Sequence, residues 1–220
     1  MNDVPRETPP APDSARGVFA STLPRAEQYA ELLATQATLR GLIGPREVPR
    51  LWERHLLNCA LVTDLVPEGS TVADIGSGAG LPGLVMAIRR PDLDVTLVEP
   101  LLRRTTFLEE AVEQLELENV VVHRGRAEEL GRDAAYDVVT SRAVAPMDRL
   151  ARWSLPLVRP GGLFLAMKGS SVEDELTDSW KLIDRLGGSD ISVHRLGEDL
   201  LEHPVIIARI KRVNPRRARF

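Results

Sequence analysis

The residues that could do chemistry are concentrated in one stretch, VADIGSGAGLPG at positions 72–83, and in one acid downstream. The stretch reads as a buried strand that runs into a glycine-rich turn and then into a helix. Asp74 precedes the turn, and Glu99 ends the next apolar run. A carboxylate after the second strand suits the two hydroxyls of a ribose. Because glycine has no Cβ, a ligand could lie directly against the backbone at Gly76, Gly78 and Gly80. We therefore predict that an adenosine-containing cofactor binds between Asp74 and Glu99.

The spacing of the glycines separates the classes of cofactor. A dinucleotide fold requires G-x-G-x-x-G, and this chain has Leu81 at the third glycine position. A nucleotide phosphate loop requires a lysine and a Ser or Thr after its last glycine, and neither follows here. A sulfonium nucleoside has no pyrophosphate and needs neither pattern. The G-x-G-x-G run is similar to the S-adenosyl-L-methionine (SAM) loop of Rossmann-like methyltransferases. An ordinary strand-to-helix turn would explain the glycines but not the two acids.

Length and composition narrow the class of protein. The 220 residues suffice for one α/β domain with an added segment. The single cysteine, Cys59, excludes a disulfide or a cysteine-based metal site within the chain and fits a reducing cytoplasm. His123, His194 and His203 do not have the spacing of metal ligands, so we expect no metal. No apolar run approaches the roughly 20 residues of a membrane span, so we expect no membrane partner.

The charge is unevenly distributed along the chain. The net charge is −4, but residues 211–220 hold five cations and no acid, so the first 210 residues carry −9. The basic tail at 213–220 could be a solvated extension or a clamp for phosphates, and charge alone does not decide between them.

The chain divides into four parts by composition. Residues 1–22 are rich in proline and charge and are predicted to be a disordered lead-in. Residues 23–68 have helical spacing, over about 23–42 and 48–65, and are predicted to pack on the core as a helical segment. Residues 69–212 are the predicted SAM-dependent methyltransferase domain, and the basic tail follows.

Strands and helices alternate from residue 71 onward, which is typical of βαβ units. We predict a Rossmann-like α/β fold, with a seven-stranded and mostly parallel sheet flanked by helices. In methyltransferases of this fold the final strand inserts antiparallel beside its neighbours. The predicted strands are 71–75, 95–98, 120–123, 136–141, 163–168, 191–196 and 205–211, and the predicted helices are 81–89, 103–117, 146–157 and 172–186.

Further motifs follow the carboxyl ends of the strands, where ligands bind in such a sheet. The backbone of Ala127 and Glu128 is placed to meet an adenine ring, although a helix start with acids for its dipole would look the same. Arg142 ends the fourth strand and Lys168 ends the fifth, facing one crevice. The Asn/Asp-Pro-Pro run of amino-group methyltransferases is missing from residues 140–146, and Cys59 lacks the proline-cysteine context of C5-pyrimidine enzymes.

A polar pair, Arg54 and His55, lies in an otherwise apolar helix before the cofactor domain. A surface pair in which His55 makes one hydrogen bond would explain it, and so would a role at a binding site. The three tryptophans, Trp52, Trp153 and Trp180, lie in apolar helical patterns and are predicted to be packing residues.

These motifs together resemble the RsmG family, also called glucose-inhibited division protein B. The resemblance covers residues 23–212 and rests on RLWERHLLN, DIGSGAGLPG, SRA and AMKG. It implies methylation of N7 of one guanine in a loop of 16S rRNA near the decoding centre, with SAM as donor. It also implies cofactor contacts at Gly76, Leu81, Ala127 and Glu128, and places Arg142 beside the methionine end or the target. Relatives often carry Arg-His before the last strand; this chain has Glu202-His203, which argues against an RNA role for that loop.

The implied reaction requires few catalytic groups. Guanine N7 has a free lone pair and no proton to lose, so no general base is needed. Alignment of the reactants then supplies most of the catalysis. Arginine commonly binds both O6 and N7 of guanine, but N7 must stay open here. We therefore expect Arg142 or Lys168 to donate to O6 only.

The implied partner is 16S rRNA, as the 30S subunit or an assembly intermediate, and we expect a monomeric enzyme. Aromatic residues make up only 4% of the chain, so RNA binding must rely on phosphate contacts. A SAM-dependent enzyme acting on another RNA site or on a small molecule, and a SAM-sensing protein without catalysis, stay open as alternatives. The predicted RNA contacts are Arg54, His55, Arg103, Arg104, Arg124, Arg126, Arg216 and Arg217.

If these arginines bind phosphates, RNA affinity must fall steeply with salt. The expected log–log slope is about −0.7 to −0.9 for each phosphate contact. Filter binding of small-subunit RNA over a series of salt concentrations measures this slope. A flat dependence would exclude the phosphate clamp.

Overall fold

A computed structural model describes residues 8–131, 135–142 and 145–213. Seven strands form one sheet in the order β3-β2-β1-β4-β5-β7-β6. Strands β1 to β5 run parallel, and β7 is antiparallel to both β5 and β6. This confirms the predicted sheet. The strands are β1 (Thr71–Ile75), β2 (Asp94–Glu99), β3 (Val120–Arg124), β4 (Tyr136–Arg142), β5 (Val158–Lys168), β6 (Gly188–Leu196) and β7 (Val205–Arg212).

Helices cover both faces of the sheet and extend before it. They are α1 (Asp13–Phe19), α2 (Leu23–Leu32), α3 (Asn58–Leu61), α4 (Gly83–Arg89), α5 (Leu102–Gln114), α6 (Met147–Ser154) and α7 (Val172–Arg185). In the described parts of the chain, none of the helices is long and apolar enough to span a membrane.

The predicted helix over 48–65 is present but irregular. A 3-10 helix, Pro45–Arg50, leads into a π-helical turn, Leu51–Leu57, before α3 and a last 3-10 turn, Val62–Leu65. Pro49 lies inside the first of these segments, and a proline removes the N–H that a regular helix would use. π-Helical turns are rare and occur frequently at functional sites.

The prediction of a disordered lead-in is wrong for the part of it that the structure describes. Residues 13–22 form α1 and a 3-10 turn, with Ala15 and Phe19 buried. These two residues are four apart and share one helical face. The Phe19 ring meets Trp52 edge-on at 6.3 Å, and the indole N–H of Trp52 donates to the carbonyl of Pro9 at 2.9 Å. The apolar spacing therefore outweighs the proline-rich composition, and residues 1–7 lie outside the described part.

Helix α4 is covered on its outer face by the N-terminal segment. Its residues 83–88 are all buried, which explains why its sequence is apolar all round. Arg89, at its end, donates to the carbonyls of Val18 and Ala60 at 3.1 and 2.6 Å and pairs with Asp64 at 2.8 Å. The N-terminal helices and the sheet domain therefore share one hydrophobic core.

The same segment contacts the glycine-rich turn directly. The Tyr29 hydroxyl, fully buried in α2, donates to the carbonyl of Ala79 at 2.6 Å. A Cβ on Gly80 would lie 2.4 Å from Leu84 Cδ1 and 2.9 Å from the Tyr29 hydroxyl. Gly80 is thus required for close packing between the turn and α2.

We expect Gly80→Ala to destabilise the fold by about 2–4 kcal/mol. The new methyl group would clash with its neighbours, and alanine is also strained at a positive φ. The matched control is Gly69→Ala, which has a similar backbone constraint (φ +64° against +96°) but nothing within 4 Å of its Cβ. It should cost about 1 kcal/mol. Urea unfolding measures both free energies, and equal losses would show that the contact with Tyr29 and Leu84 is not tight.

Candidate functional site

The site begins at a carboxylate buried under the glycine-rich turn. Asp74, on β1, is completely buried, and its Oδ2 accepts the N–H of Gly83, the first residue of α4, at 3.0 Å. Its Oδ1 has no hydrogen-bond partner among the described residues. Burial raises the pKa of Asp74 to about 7, and the hydrogen bond from the Gly83 N–H only partly offsets this.

A second buried carboxylate holds the middle of the turn. Glu99, which ends β2, is 1% exposed. Its Oε2 accepts the N–H of Gly78 at 3.0 Å and lies 3.3 Å from the Arg104 guanidinium, while its Oε1 accepts the N–H of Leu101 at 3.1 Å. A carboxylate can accept about four hydrogen bonds, so Oε1 still has capacity for a ligand hydroxyl.

The turn presents bare backbone at this point. Gly76 and Gly78 have φ of +75° and +60°, a region that favours glycine. A Cβ on Gly78 would meet only the Gly76 carbonyl, at 3.9 Å. Space beside Gly78 is therefore open, in contrast to the packed surroundings of Gly80.

A cavity of about 260 Å³ lies at the carboxyl ends of β1, β2 and β3. Its walls are mainly apolar, and residues 125–128 form one rim, where the 3-10 turn Ala127–Leu130 begins. The first N–H groups of a helical turn have no partner within the helix. The other lining residues are Ile75, Gly76, Val98, Pro100 and Trp153.

These features fit an adenosyl cofactor. The apolar cavity suits a purine ring, the rim offers backbone N–H groups, and Glu99 borders the turn where a ribose would lie. The unpartnered Oδ1 of Asp74 and the open space at Gly78 are further signs of a ligand beside the turn.

A larger cavity, of about 600 Å³, lies across β4, β5 and the start of β7. It is on the other side of the boundary between β1 and β4, where the strand order reverses and ligands bind in open α/β sheets. Its lining includes Arg54, His55, Asn58, Arg142, Lys168 and His203.

Arg142 is held in this cavity by the segment before the sheet. Its guanidinium donates to the Arg54 carbonyl at 3.3 Å and to Cys59 Sγ at 3.6 Å, and lies 3.0 Å from His55 Nδ1. The other imidazole nitrogen of His55 is 3.1 Å from Glu47 Oε2. Burial raises the pKa of Cys59 to about 11, so the thiol stays protonated.

Lys168 is more completely enclosed. Its side chain is 8% exposed, pairs with Glu175 at 2.7 Å and donates to the Ala145 carbonyl at 3.1 Å. Burial alone would raise the pKa of Glu175, but hydrogen bonds from Lys168 and the Met147 N–H lower it overall. The ammonium of Lys168 is therefore largely neutralised by its neighbour.

Comparison with known proteins identifies the family. Residues 22–204 match the model of the GidB family, described as rRNA small subunit methyltransferase G. The chain belongs to the GidB family. A Nocardioides protein named ribosomal RNA small subunit methyltransferase G is 58% identical over 98% of this chain and 87% of its own length. Its namesake in Streptomyces avermitilis is 55% identical over 93% of this chain and 87% of its own length.

Solved structures share the fold at low identity. M. jannaschii TYW2 in complex with AdoMet has a TM-score of 0.58 at 15% identity, over 72% of this chain and 76% of that one. A SAM-dependent O-methyltransferase from Thermotoga maritima has a TM-score of 0.57 at 18% identity, over 73% and 66% of the two chains. These likenesses support the Rossmann-like fold of this GidB-family member.

The predicted cofactor residues do not all lie at the first cavity. Gly76, Ala127 and Glu128 line it, and Asp74, Gly78 and Glu99 surround the turn beside it. Leu81, in contrast, packs in the hydrophobic core and donates its N–H to the Ser77 carbonyl. Gly80 faces Tyr29, as described above.

The predicted RNA residues are also distributed unevenly. Arg54 and His55 line the larger cavity together with the predicted catalytic residues Arg142 and Lys168. Arg126 is exposed at the rim of the smaller cavity, Arg103 is exposed at the start of α5, and Arg104 is paired with Glu99. Arg216 and Arg217 lie outside the described residues.

Several lining residues were missed by the sequence analysis. Trp153 packs against the core as predicted, but it also forms part of the smaller cavity. Trp180 is 54% exposed rather than packed, so that prediction is wrong. His203 lines the larger cavity although its loop departs from the family pattern; the N–H of its neighbour Glu202 donates to Glu53 at 2.9 Å. Only the predicted position of this loop, directly before the last strand, gave a signal. Among the described residues, three or more His, Cys, Asp or Glu nowhere converge to hold a metal ion.

The raised pKa of Asp74 predicts how its mutation affects stability. Between its ordinary pKa of 3.8 and its folded pKa of about 7, the native state binds a proton that the unfolded state has released. Stability contributed by this group therefore falls as pH rises from about 4 to about 7. Asp74→Asn removes the dependence, so its unfolding free energy relative to wild type should increase over this range.

Urea unfolding at several pH values measures this difference. The control is Asp94→Asn, at an exposed position at the start of β2, which should track wild type across the range. A constant difference between Asp74→Asn and wild type would contradict the raised pKa.

Proposed function

We propose that this protein transfers a methyl group from S-adenosyl-L-methionine to N7 of a specific guanine in 16S rRNA, in the decoding-region loop of the small subunit. The family membership gives the reaction class. The observation that carries the proposal is the larger cavity at the end of β4, which Arg142, His55 and Lys168 line, next to the strand that leads into the glycine-rich turn.

The residues around the turn hold the cofactor. Glu99 accepts a ribose hydroxyl, the apolar walls of the smaller cavity enclose adenine, and the backbone of Ala127 and Glu128 meets its edge. Gly78 leaves room for the rest of the molecule. When bound, the cofactor supplies an electrophilic methyl group on a sulfonium.

The larger cavity holds the target base. Its volume of about 600 Å³ exceeds the needs of one guanine and leaves room for flanking nucleotides. An enzyme that modifies a base takes it out of the stack into such a cavity. The N7 lone pair attacks without losing a proton, so the residues here orient the base and leave N7 open.

Arg142 is the better candidate for the contact to O6. A guanidinium has five N–H donors, and its contacts to Arg54, Cys59 and His55 take three of them. The other two have no partner among residues 8–131, 135–142 and 145–213, so they are left for a ligand. Lys168, paired with Glu175 and bonded to Ala145, is better suited to shape the wall of the cavity.

Exposed cations around this edge of the sheet would receive the RNA backbone. Arg103, Arg124 and Arg126 are exposed at the ends of β2 and β3, and Arg54 is half-exposed at the larger cavity. Leu101 and Leu102, 52% and 61% exposed, adjoin Arg103 and add an apolar surface for bases. We propose that the enzyme acts as a monomer in the cytoplasm, on the 30S subunit or an assembly intermediate.

The test is methyl transfer to small subunits from cells that lack the gene, with N7-methylguanine mapped in the 16S rRNA. Arg142→Ala should lower kcat about 100-fold, because losing one oriented donor at a reacting group costs about that much. Its Kd for SAM, from calorimetry, should stay within about twofold of wild type. Transfer at the wild-type rate in Arg142→Ala would refute its role.

Two comparison variants sharpen this test. Arg185→Ala removes an exposed arginine at the far end of α7, a helix of 14 residues that begins beside Lys168 and so ends roughly 20 Å away; it should retain full activity. Lys168→Ala should lower the melting temperature as well as kcat, since Glu175 loses its buried partner. Product on metabolites but not on RNA would favour a small-molecule enzyme.

A further inference from the structure

Arg142 lies on β4, but its orientation is set by a different part of the chain. Within the described part of the chain, its guanidinium makes three hydrogen bonds, all to the π-helical turn Leu51–Leu57 and the residues just after it. An arginine side chain has several rotatable bonds and loses considerable entropy when it is fixed. Whatever holds the guanidinium in place therefore determines how well it can orient a ligand.

The direction of the hydrogen bonds in this contact is fixed by chemistry. A guanidinium only donates, so Nδ1 of His55 must accept from Arg142 and carries no proton. The ring proton is then on Nε2, which donates to Glu47 Oε2 at 3.1 Å. Glu47, His55 and Arg142 form a hydrogen-bonded series of carboxylate, neutral imidazole and guanidinium, here called the relay. Because Nδ1 of His55 accepts from Arg142, Nε2 carries the proton that is donated to Glu47.

The surroundings keep this relay in one protonation state. Burial of His55, which is 8% exposed, and next the charge of Arg142, lower the imidazole pKa to about 4. The imidazole is therefore neutral at physiological pH. Glu47 also accepts from the Arg54 guanidinium, at 3.2 Å to each oxygen, which fixes the carboxylate in turn.

We propose that Glu47 and His55 are positioning residues for methyl transfer, which hold the Arg142 guanidinium in the orientation that meets the target base. The inference rests on the proposed function and adds to it two residues that need no contact with the reacting atoms. The relay crosses from the helical segment to the sheet, so it makes the N-terminal segment part of the catalytic apparatus.

A double-mutant cycle tests whether His55 acts through Arg142. We expect His55→Ala to lower kcat about 10-fold and Arg142→Ala about 100-fold, and the double variant to match Arg142→Ala, because residues that act as a unit are not additive. The Kd for SAM should stay within about twofold in all three. A further 10-fold loss in the double variant would overturn the inference, as would wild-type kcat in His55→Ala.

A second pair of variants excludes simple loss of packing. The amide oxygen of Asn lies close to the place of Nδ1 and can accept from Arg142, whereas Leu fills the space without an acceptor. His55→Asn should therefore retain several-fold more kcat than His55→Leu, at equal melting temperature. Equal kcat in the two variants would contradict a positioning role. Glu47→Ala should lower kcat in the same direction as His55→Ala.

A readout without activity separates this inference from the proposed function. In the full-length protein, the imidazole ¹⁵N shifts of His55 should show the Nε2–H tautomer, and a mixture of tautomers should appear in Arg142→Ala. A mixture already in wild type would overturn the relay. If the tautomer is as expected but no N7-methylguanine forms, the proposed function fails while the relay stands.

Discussion

Three buried side chains hold the backbone of the glycine-rich turn, and the smaller cavity beside the turn depends on this. Asp74 fixes the N–H of Gly83, Glu99 fixes the N–H of Gly78, and Tyr29 fixes the carbonyl of Ala79. A buried carboxylate costs free energy unless donors surround it. Glu99 has three such donors, whereas Asp74 keeps one oxygen unpartnered. The turn is thus tightly fixed at Glu99 and has unused hydrogen-bonding capacity at Asp74.

The second cavity depends on the irregular helix before the sheet. In the π-helical turn Leu51–Leu57, Glu53 accepts a hydrogen bond from the N–H of Glu202 in the loop of His203. The Arg54 carbonyl and His55 Nδ1 both accept hydrogen bonds from Arg142. The sheet therefore provides the ends of β4 and β5, and the preceding segment decides how the side chains at those ends are oriented.

Much of this arrangement could be predicted from local pattern. The strand–turn–helix around residue 76 is encoded in adjacent residues, and the alternation of strands and helices gave the sheet. Arg142 and Lys168 were placed in one crevice because parallel strands end at one edge. Contacts between distant residues could not be predicted in this way. That Gly80 faces Tyr29, and that His55 bonds both Glu47 and Arg142, depends on how the N-terminal segment docks. Exposed and packed tryptophans likewise share the same helical pattern, so Trp153 and Trp180 could not be separated.

Because both faces of α4 are enclosed, the chain cannot be divided at the start of the sheet. During synthesis the segment up to residue 65 leaves the ribosome first. Its apolar side can pack on α4 only after residues 83–88 have been made. In a chimera that exchanges this segment between relatives, the new segment must therefore fit the surface of α4. It must also offer the carbonyl groups that accept hydrogen bonds from Arg89. Sequence change in residues 8–65 is constrained by the same requirement.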